Sequence, residues 1–460
     1  MKHFPVFVLV VLMFNSCDER PTNKELPNIV FIFADDLGYG DIGIFGAIDI
    51  KTPNIDRIAN DGIKFTDFYS ASPVCSPSRA GLLTGRLPQR MGINSVFFPE
   101  SFTGMPISEI TIADILKEKN YSTGIVGKWH LGHRQEFLPL QRGFDEYFGI
   151  PYSNDMASVV YMRGNEVESF KVDQHLTTKT YTEEALKFIE SHKEDPFFLY
   201  VAHNMPHVPI YASEDFEGTS ERGLYGDVIE EIDWSVGEII KKLENLELLE
   251  NTLVVFSSDN GPWLVMEDHG GSAGGLREGK QFTFDGGVRV PTVAMWKGKI
   301  APGQTFSNVA TQMDWFPTFS AIVGSELPDR MIDGRDLSDV LFEGGEREGD
   351  TFMFFDGAKL EGYRSGNWKV KLPYDGYEGS PWKSKVAPHD TLLIDMSLDP
   401  GEQTNLYSKD PQHAISLIEE MNQAYEDLGD LPRSLIVRSP ADKSHFDHLE
   451  EKRRNEIRIK

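Results

Sequence analysis

Cysteine is nearly absent from this chain: Cys17 and Cys75 are the two among 460 residues, which excludes a disulfide-stapled scaffold. Long apolar runs are missing too. Residues 4–14 form a run too short for an ordinary membrane span, and no other stretch approaches one. Basic residues are scarce, 45 Lys and Arg against 72 Asp and Glu, for a net charge of −27. Such a surface excludes a nucleic-acid backbone as a partner and repels polyanions at long range. Any anionic substrate must therefore be held by a local cluster of cations. There is no internal repeat or low-complexity tract, so no repeat architecture is implied.

What is present is core-forming material: 40% of the residues are hydrophobic and 11% of the chain is aromatic. The length exceeds the usual domain of about 100–200 residues, which predicts a large domain with a smaller one. Lys2 and His3 precede the run 4–14, and Ser16-Cys17 ends it before Asp18, Glu19 and Arg20, a pattern that reads as an export signal. It resembles a bacterial lipoprotein signal, which implies lipidation of Cys17 and a periplasmic or cell-surface protein, anchored to the outer membrane. Phe14 and Asn15 depart from the usual small and aliphatic residues before the cysteine, and ordinary cleavage near Ser16 is the alternative. If Cys17 is lipidated, Cys75 has no disulfide partner. A lone cysteine in serine- and proline-rich surroundings points to a functional group, against the alternative of a small buried apolar residue.

Residues 1–17 thus read as the signal, 18–27 as a tether, 28–345 as the main domain and 346–460 as a smaller subdomain with a tail. Apolar strands are predicted at 28–36, 121–130, 196–203, 253–260 and 292–296, with helices at 112–119, 180–191 and 225–248 between them. Continuous apolar strands alternating with helices indicate an α/β domain with a mostly parallel sheet, whose ligands sit beyond the carboxyl ends of the strands. After the Gly/Glu-rich run 343–349, short strands near Phe352, 362–370 and 392–395 and a helix over 411–428 read as a small α+β unit. The charged run 450–454 is a solvated tail or helix.

Four strand ends carry chemistry. Asp35, Asp36, Asp259 and Asn260 are hard oxygen donors suited to Ca²⁺ or Mg²⁺, although such pairs also cap helices or shape turns. Neighbours on a regular strand face opposite ways, so adjacent ligands need a departure from strand geometry, which Gly38 and Gly261-Pro262 permit. Lys128 and His130, two apart, would project to one side of a strand, placing a cation beside a proton carrier. His203 and His207 flank Asn-Met-Pro and belong to a loop. Lys280 follows a glycine-rich run, 270–275, that allows close backbone approach to a ligand or forms a flexible loop. In Cys75-Ser-Pro-Ser-Arg79, Pro77 suits the first turn of a helix and Ser76 and Ser78 can accept its free N–H groups. That start aims Cys75 and Arg79 at an anion.

Cys75-Ser-Pro-Ser-Arg79 with Leu83-Thr-Gly85 resembles the signature of type I sulfatases, of the arylsulfatase A-like kind. Gly127-Lys-Trp-His-Leu-Gly132, Ser257-Ser-Asp-Asn-Gly261, Leu276-Arg-Glu-Gly-Lys280 with Asp285-Gly-Gly-Val-Arg289, and Asp399-Pro-Gly-Glu-Gln-Thr-Asn-Leu406 resemble further segments of that family, in order. The resemblance implies an alkaline phosphatase-like fold with a large, mostly parallel sheet flanked by helices. It implies that Cys75 is oxidised to Cα-formylglycine (3-oxoalanine) by a formylglycine-generating or sulfatase-maturating enzyme, and that the hydrated aldehyde attacks sulfur. It further implies one Ca²⁺ on Asp35, Asp36, Asp259, Asn260 and the modified Cys75. Arg79 should hold the formylglycine, Lys128 and Ser153 the sulfate, and His207 and Lys280 the bridging oxygen and leaving alcohol. His130 should take the proton that lets sulfate depart. His203 is left out.

The expectation is therefore an exported sulfatase acting on a sulfated sugar or polysaccharide. Two rivals stand beside it: a phosphate or phosphonate monoester hydrolase on the same fold, and a catalytically silent glycan-binding protein. The glycan, the sulfate position and exo or endo action depend on loops at 94–106 and 152–176.

Overall fold

The computed structural model describes residues 26–156 and 159–436. The signal, Cys17, most of the tether and the charged run 450–454 lie outside the described residues.

Ten strands form the central sheet. At its middle, Thr252–Ser258, Asn28–Ala34, Phe197–Ala202, Ser122–Gly127 and Glu146–Gly149 lie side by side, each pair parallel. Antiparallel strands flank them: Thr292–Met295 pairs against Thr252–Ser258, and Tyr161–Arg163 against Glu146–Gly149. Asn28–Ala34 and Phe197–Ala202 at the centre read as near-continuous apolar runs because both faces are covered. Along the first of them Ile29, Phe31 and Phe33 enter one core, while Val30, Ile32 and Ala34 enter the other. The first core is closed by Cys75–Thr84, Ile112–Lys117 and Trp315–Val323, whose Leu82, Leu83, Leu116 and Phe319 are buried in it. The second is closed by Pro53–Asn60, Thr177–Ser191 and the 22-residue helix Leu224–Asn245.

A four-stranded antiparallel sheet follows toward the C-terminus, with the helix Pro411–Glu426 laying Ala414, Leu417 and Met421 against Tyr363, Val370 and Leu393. The strand expected over 362–370 is two, Lys359–Ser365 and Trp368–Lys371. Gly366 turns between them at φ 55°, a conformation that breaks the run. Buried ion pairs tie this sheet to the main domain. Lys369 Nζ lies 2.8 Å from Asp285 and 2.7 Å from Glu402, and Arg364 lies 2.6 Å from Asp67.

The capping expected of Ser76 and Ser78 fails. The helix Cys75–Thr84 does begin at the cysteine, but its N-cap is Val74 and no side chain caps it. Ser76 Oγ instead donates to His130 O at 2.8 Å and accepts from Phe97 N at 3.0 Å, and Ser78 Oγ donates to the carbonyl of Asp259. Both serines are fully buried, so they serve neighbouring segments whose polar atoms would otherwise be stranded.

Candidate active site

Every side chain singled out for the site comes from a strand's carboxyl end or from the helix and loops above it. Asp35 and Asp36 follow Asn28–Ala34 directly, and Asp36 has φ 65°, the left-handed turn by which neighbours come to share one side. Its N–H donates to Asp259 Oδ1 at 3.1 Å, which locks the turn to the next strand end. Lys128 and His130 were expected on a strand. The strand stops at Gly127, and they reach the site through a loop in which His130 has φ 61°. Gly127 has φ 115°, and a Cβ there would lie 1.9 Å from Ala202 O, so the departure requires glycine.

The site is a close balance of opposite charges, all buried. Lys128 Nζ lies 2.5 Å from Asp35 Oδ2 and donates to Ser153 Oγ at 3.1 Å. Lys280 Nζ lies 2.7 Å from Asp36 Oδ2, above the ring of Trp263 at 4.3 Å. Arg79 reaches Asp259 Oδ2 through Nη2 at 2.9 Å and Nε at 3.0 Å, approaches Asp35 Oδ1 at 3.5 Å, and donates to the carbonyl of Lys128 at 3.2 Å. Burial opposes ionisation of Asp35, but Lys128, His207 and Arg79 outweigh it and hold that carboxyl below its usual range. Asp259 is displaced upward, by burial first and by the charge of Asp35 second. Lys280 stays charged well above the ordinary range, because Asp36 more than offsets its burial.

Cys75 is 1% exposed, its Sγ 3.6 Å from Asp35 Oδ1. Burial pushes its thiol well above the ordinary value, although Lys128 and Lys280 pull the other way. The thiol itself is therefore a poor nucleophile. An oxygen-bearing group at this position would suit the surrounding cations and carboxylates better than sulfur does.

The histidines are oriented by backbone carbonyls. His130 Nε2 lies 2.9 Å from Phe97 O, which can only accept, so Nε2 carries the hydrogen and Nδ1 is bare. That Nδ1 is buried without a hydrogen-bond partner. Burial, with Lys128 and Arg79 nearby, pushes His130 well below its usual pKa. His207 Nδ1 lies 2.6 Å from Val208 O and 3.4 Å from Ser153 Oγ, leaving Nε2 free, 3.6 Å from Asp36 Oδ2. His203 turns away: its Nε2 lies 3.4 Å from Ser235 Oγ and its ring abuts Tyr181.

The donors fit a hard divalent cation. Ligand atoms of Asp35, Asp36, Cys75 and Asp259 lie within 4.8 Å of one another. Asn260 donates through Nδ2 to Asp36 Oδ1 at 2.7 Å and to Gly261 O at 2.9 Å, while its Oδ1 is buried with no partner. A stranded oxygen beside three carboxylates is the donor set for Ca²⁺ or Mg²⁺. Asp36, Cys75 and His207 also cluster, but a set with thiol and imidazole suits softer metals.

The glycine-rich run 270–275 takes another role than ligand approach. Gly274 packs on Gly40, where a Cβ at Gly40 would lie 2.5 Å from the Gly274 Cα, so the close contact is backbone on backbone. Several side chains facing the cavity escaped sequence reasoning: Trp263, Asp356, Trp382 and Lys383, with Asn94 and Asp155. The last two fall within the loops named as shaping specificity. Trp263 could have been found, two residues past Gly261. Nothing local marks Asp356, Trp382 or Lys383, which arrive from the C-terminal sheet region.

The fold is alkaline phosphatase-like, with this cluster at the carboxyl ends of its central strands. A family model described as Sulfatase matches residues 27–325, and the chain belongs to that family. The N-acetylgalactosamine-6-sulfatase of Mus musculus is 40% identical over 448 residues, covering 87% of this chain and 86% of the relative. Arylsulfatase A of Bos taurus is 38% identical over 449 residues, covering 86% of each. Among solved structures, Ps i-CgsB in complex with k-i-k-neocarrahexaose superposes with a TM-score of 0.79 at 29% identity, covering 95% of this chain and 100% of that one. The protein is an arylsulfatase A-like sulfuric ester hydrolase. This family generally works with formylglycine and a divalent metal. Among the described residues no helix is long and apolar enough to cross a membrane.

Proposed function

We propose that this chain removes sulfate from a sugar or polysaccharide, with Cys75 oxidised to formylglycine and one Ca²⁺ held by Asp35, Asp36, Asp259, Asn260 and the modified Cys75. The observation that carries the reading is the charge balance: three buried carboxylates already match Arg79, Lys128 and Lys280 one for one. That balance leaves no positive charge for an anionic ester unless a divalent cation joins it. When bound, the cation neutralises the carboxylates and so frees the ammonium charges for the sulfate, while the formylglycine hydrate supplies the oxygen that attacks sulfur.

The remaining roles belong to side chains. Lys128 and Ser153, already hydrogen-bonded to each other, donate to sulfuryl oxygens. Arg79, pinned between Asp259 and the Lys128 carbonyl, fixes residue 75 from below. His130 accepts a proton at Nδ1, the nitrogen left bare by Phe97 O. His207 Nε2 and Lys280 Nζ face the leaving oxygen and supply charge and a proton as the alcohol departs.

The carbohydrate part is supported by the neocarrahexaose bound to Ps i-CgsB and by the name of the mouse relative. Export through residues 1–17, with lipid anchoring at Cys17 and a surface or periplasmic location, rests on the sequence pattern alone. So does a partner enzyme that oxidises Cys75. The division at residue 345 gains support from the separate C-terminal sheet.

Paired 4-nitrophenyl sulfate and phosphate assays test the reading together with peptide mass spectrometry of Cys75. Sulfate preference and a residue lighter than cysteine are expected. Near-normal turnover by a folded Cys75→Ala variant, or only thiol in active enzyme, would defeat the mechanism.

A further inference from the structure

The cavity over the sulfate core, about 330 Å³, is at the small end of sites that enclose a ligand. Part of its wall has no task in the chemistry above. Asn94 and Asp155 line it, and Asn94 Oδ1 and Asp155 Oδ1 are buried without a hydrogen-bond partner. Each such acceptor is costly unless something donates to it. Lys383 lines it too. Its Nζ lies over the rings of Phe282 and Tyr377 at 4.5 and 5.5 Å, with Asp356 Oδ2 at 3.6 Å as its carboxylate neighbour. At that distance the contact is an ion pair rather than a hydrogen bond, so the ammonium keeps donors for a ligand. Beside these polar groups Trp263 and Trp382 stack at 5.7 Å and 30°, and Trp263 Nε1 donates to Trp382 O at 2.7 Å. Together they form a fixed apolar wall suited to the C–H face of a ring.

The charges around this wall decide what the ring can carry. With Lys280 already paired to Asp36, Asp155 and Asp356 against Lys383 leave one negative charge, in a protein that is acidic overall. The lining carboxylates of Asp155 and Asp356 accept hydrogen bonds and do not donate them, so they match hydroxyl groups and oppose a second anion. We infer that this wall is the leaving-group subsite, built for an uncharged polyhydroxylated ring and closed to a further carboxylate or sulfate beside the reacting one. Asp155, Asn94 and the Asp356–Lys383 pair are its specificity-determining residues. The inference rests on the proposed sulfatase reading and extends it from the sulfate to the alcohol that leaves.

The test uses full-length, mature enzyme and a panel of sulfated disaccharide pairs. Members of a pair share linkage and sulfate position and differ in one ring, a neutral hexose against the corresponding uronic acid. Wild-type kcat/KM should favour the neutral member of the accepted pair by about tenfold or more, as like-charge rejection predicts. Asp155→Asn and Asp356→Asn keep an acceptor oxygen and remove the charge, so each should narrow that ratio severalfold. Asp356 is the half-exposed position and guards against a folding defect at Asp155. Preference for the uronic acid member, an unchanged ratio in both variants, or hydrolysis of 4-nitrophenyl sulfate with no disaccharide accepted would each overturn the inference. Failure on 4-nitrophenyl sulfate as well would instead defeat the sulfatase reading beneath it.

Discussion

Lys369 gives the sharpest test of how the C-terminal sheet supports the site. Its ammonium is fully buried between Asp285 at 2.8 Å and Glu402 at 2.7 Å, and Glu402 Oε2 accepts from the backbone N–H of Asp285. Asp285 opens the short helix five residues after Lys280, so this junction holds the loop that carries a site cation. Lys369→Met keeps length and apolar contact and removes the ammonium, with its charge and its hydrogen bonds to Asp285 and Thr283 O. Asp285 retains Arg289 at 3.3 Å, but Glu402 loses its one ion-pair partner among the described residues. Breaking a buried pair in this way costs about 3–5 kcal/mol, a fifth or more of a typical folding stability of about 5–15 kcal/mol.

The sign of its pH dependence follows from the two acids. Burial raises Glu402 above its usual value, with Asp285 adding to the rise and Lys369 opposing it. A buried acid displaced upward binds its proton more tightly in the folded state, so its stabilising share is present at low pH and lost as pH rises. Removing Lys369 enlarges that displacement. Asp285 is held down to about 2, because Lys369, Arg289 and Arg364 outweigh its burial, so its own window lies below the unfolded value of 3.8. Urea unfolding followed by tryptophan fluorescence should therefore show a deficit that is smaller at about pH 5 than at about pH 8. A deficit below about 1 kcal/mol, or one that grows toward acid pH, would refute the reasoning.

Three further outcomes are expected. Chelation should lower the melting temperature and abolish turnover, and Ca²⁺ should restore both; at a thousandfold excess over Kd a ligand adds about 4 kcal/mol, and an unmoved melting curve would argue against a resident metal. Ser78→Ala should cost about 1–3 kcal/mol in chemical denaturation, because it removes the donor to the Asp259 carbonyl and an acceptor 2.7 Å from Gln312 Nε2. Gly261→Ala would place a Cβ 1.8 Å from Gly286 O, so the two loops must part. A melting point and a kcat both within error of wild type would contradict that contact.

The strands and the site groups at their ends were legible because runs such as Asn28–Ala34 and Phe197–Ala202 are largely apolar and stop at polar residues. Asn28–Ala34 and Thr252–Ser258 differ from the expected strands chiefly in ending before Asp35 and Asp259. What the pattern could not supply was the geometry past those ends. Lys128 and His130 read as two strand neighbours, yet the backbone has already turned at Gly127. Ser76 and Ser78 read as caps because local hydrogen bonding is the usual use of serine. Their partners, His130 and Asp259, lie 54 and 181 residues away. The same limit hid Asp356, Trp382 and Lys383, since no short-range signal says which distant sheet will close a cavity.

Acidity outside and cations inside are compatible because they act over different distances. A net charge of −27 repels a sulfated polymer only across solvent, where salt screens fields within about 8–10 Å. In the proposed site the contacts to the ester are made by Lys128, at the sulfate, and Lys280, at the bridging oxygen, both buried, where screening is weak. The surface can therefore carry many carboxylates without weakening the grip on one ester, provided the cations stay enclosed. The subsite inferred beside them extends that logic: the group to be cleaved meets the cation cluster, and a neighbouring anion meets the net negative charge of Asp155 and Asp356 against Lys383. Enclosure thus contributes to selectivity as well as to binding, because a second sulfate held outside the cation cluster would face the protein's own negative field.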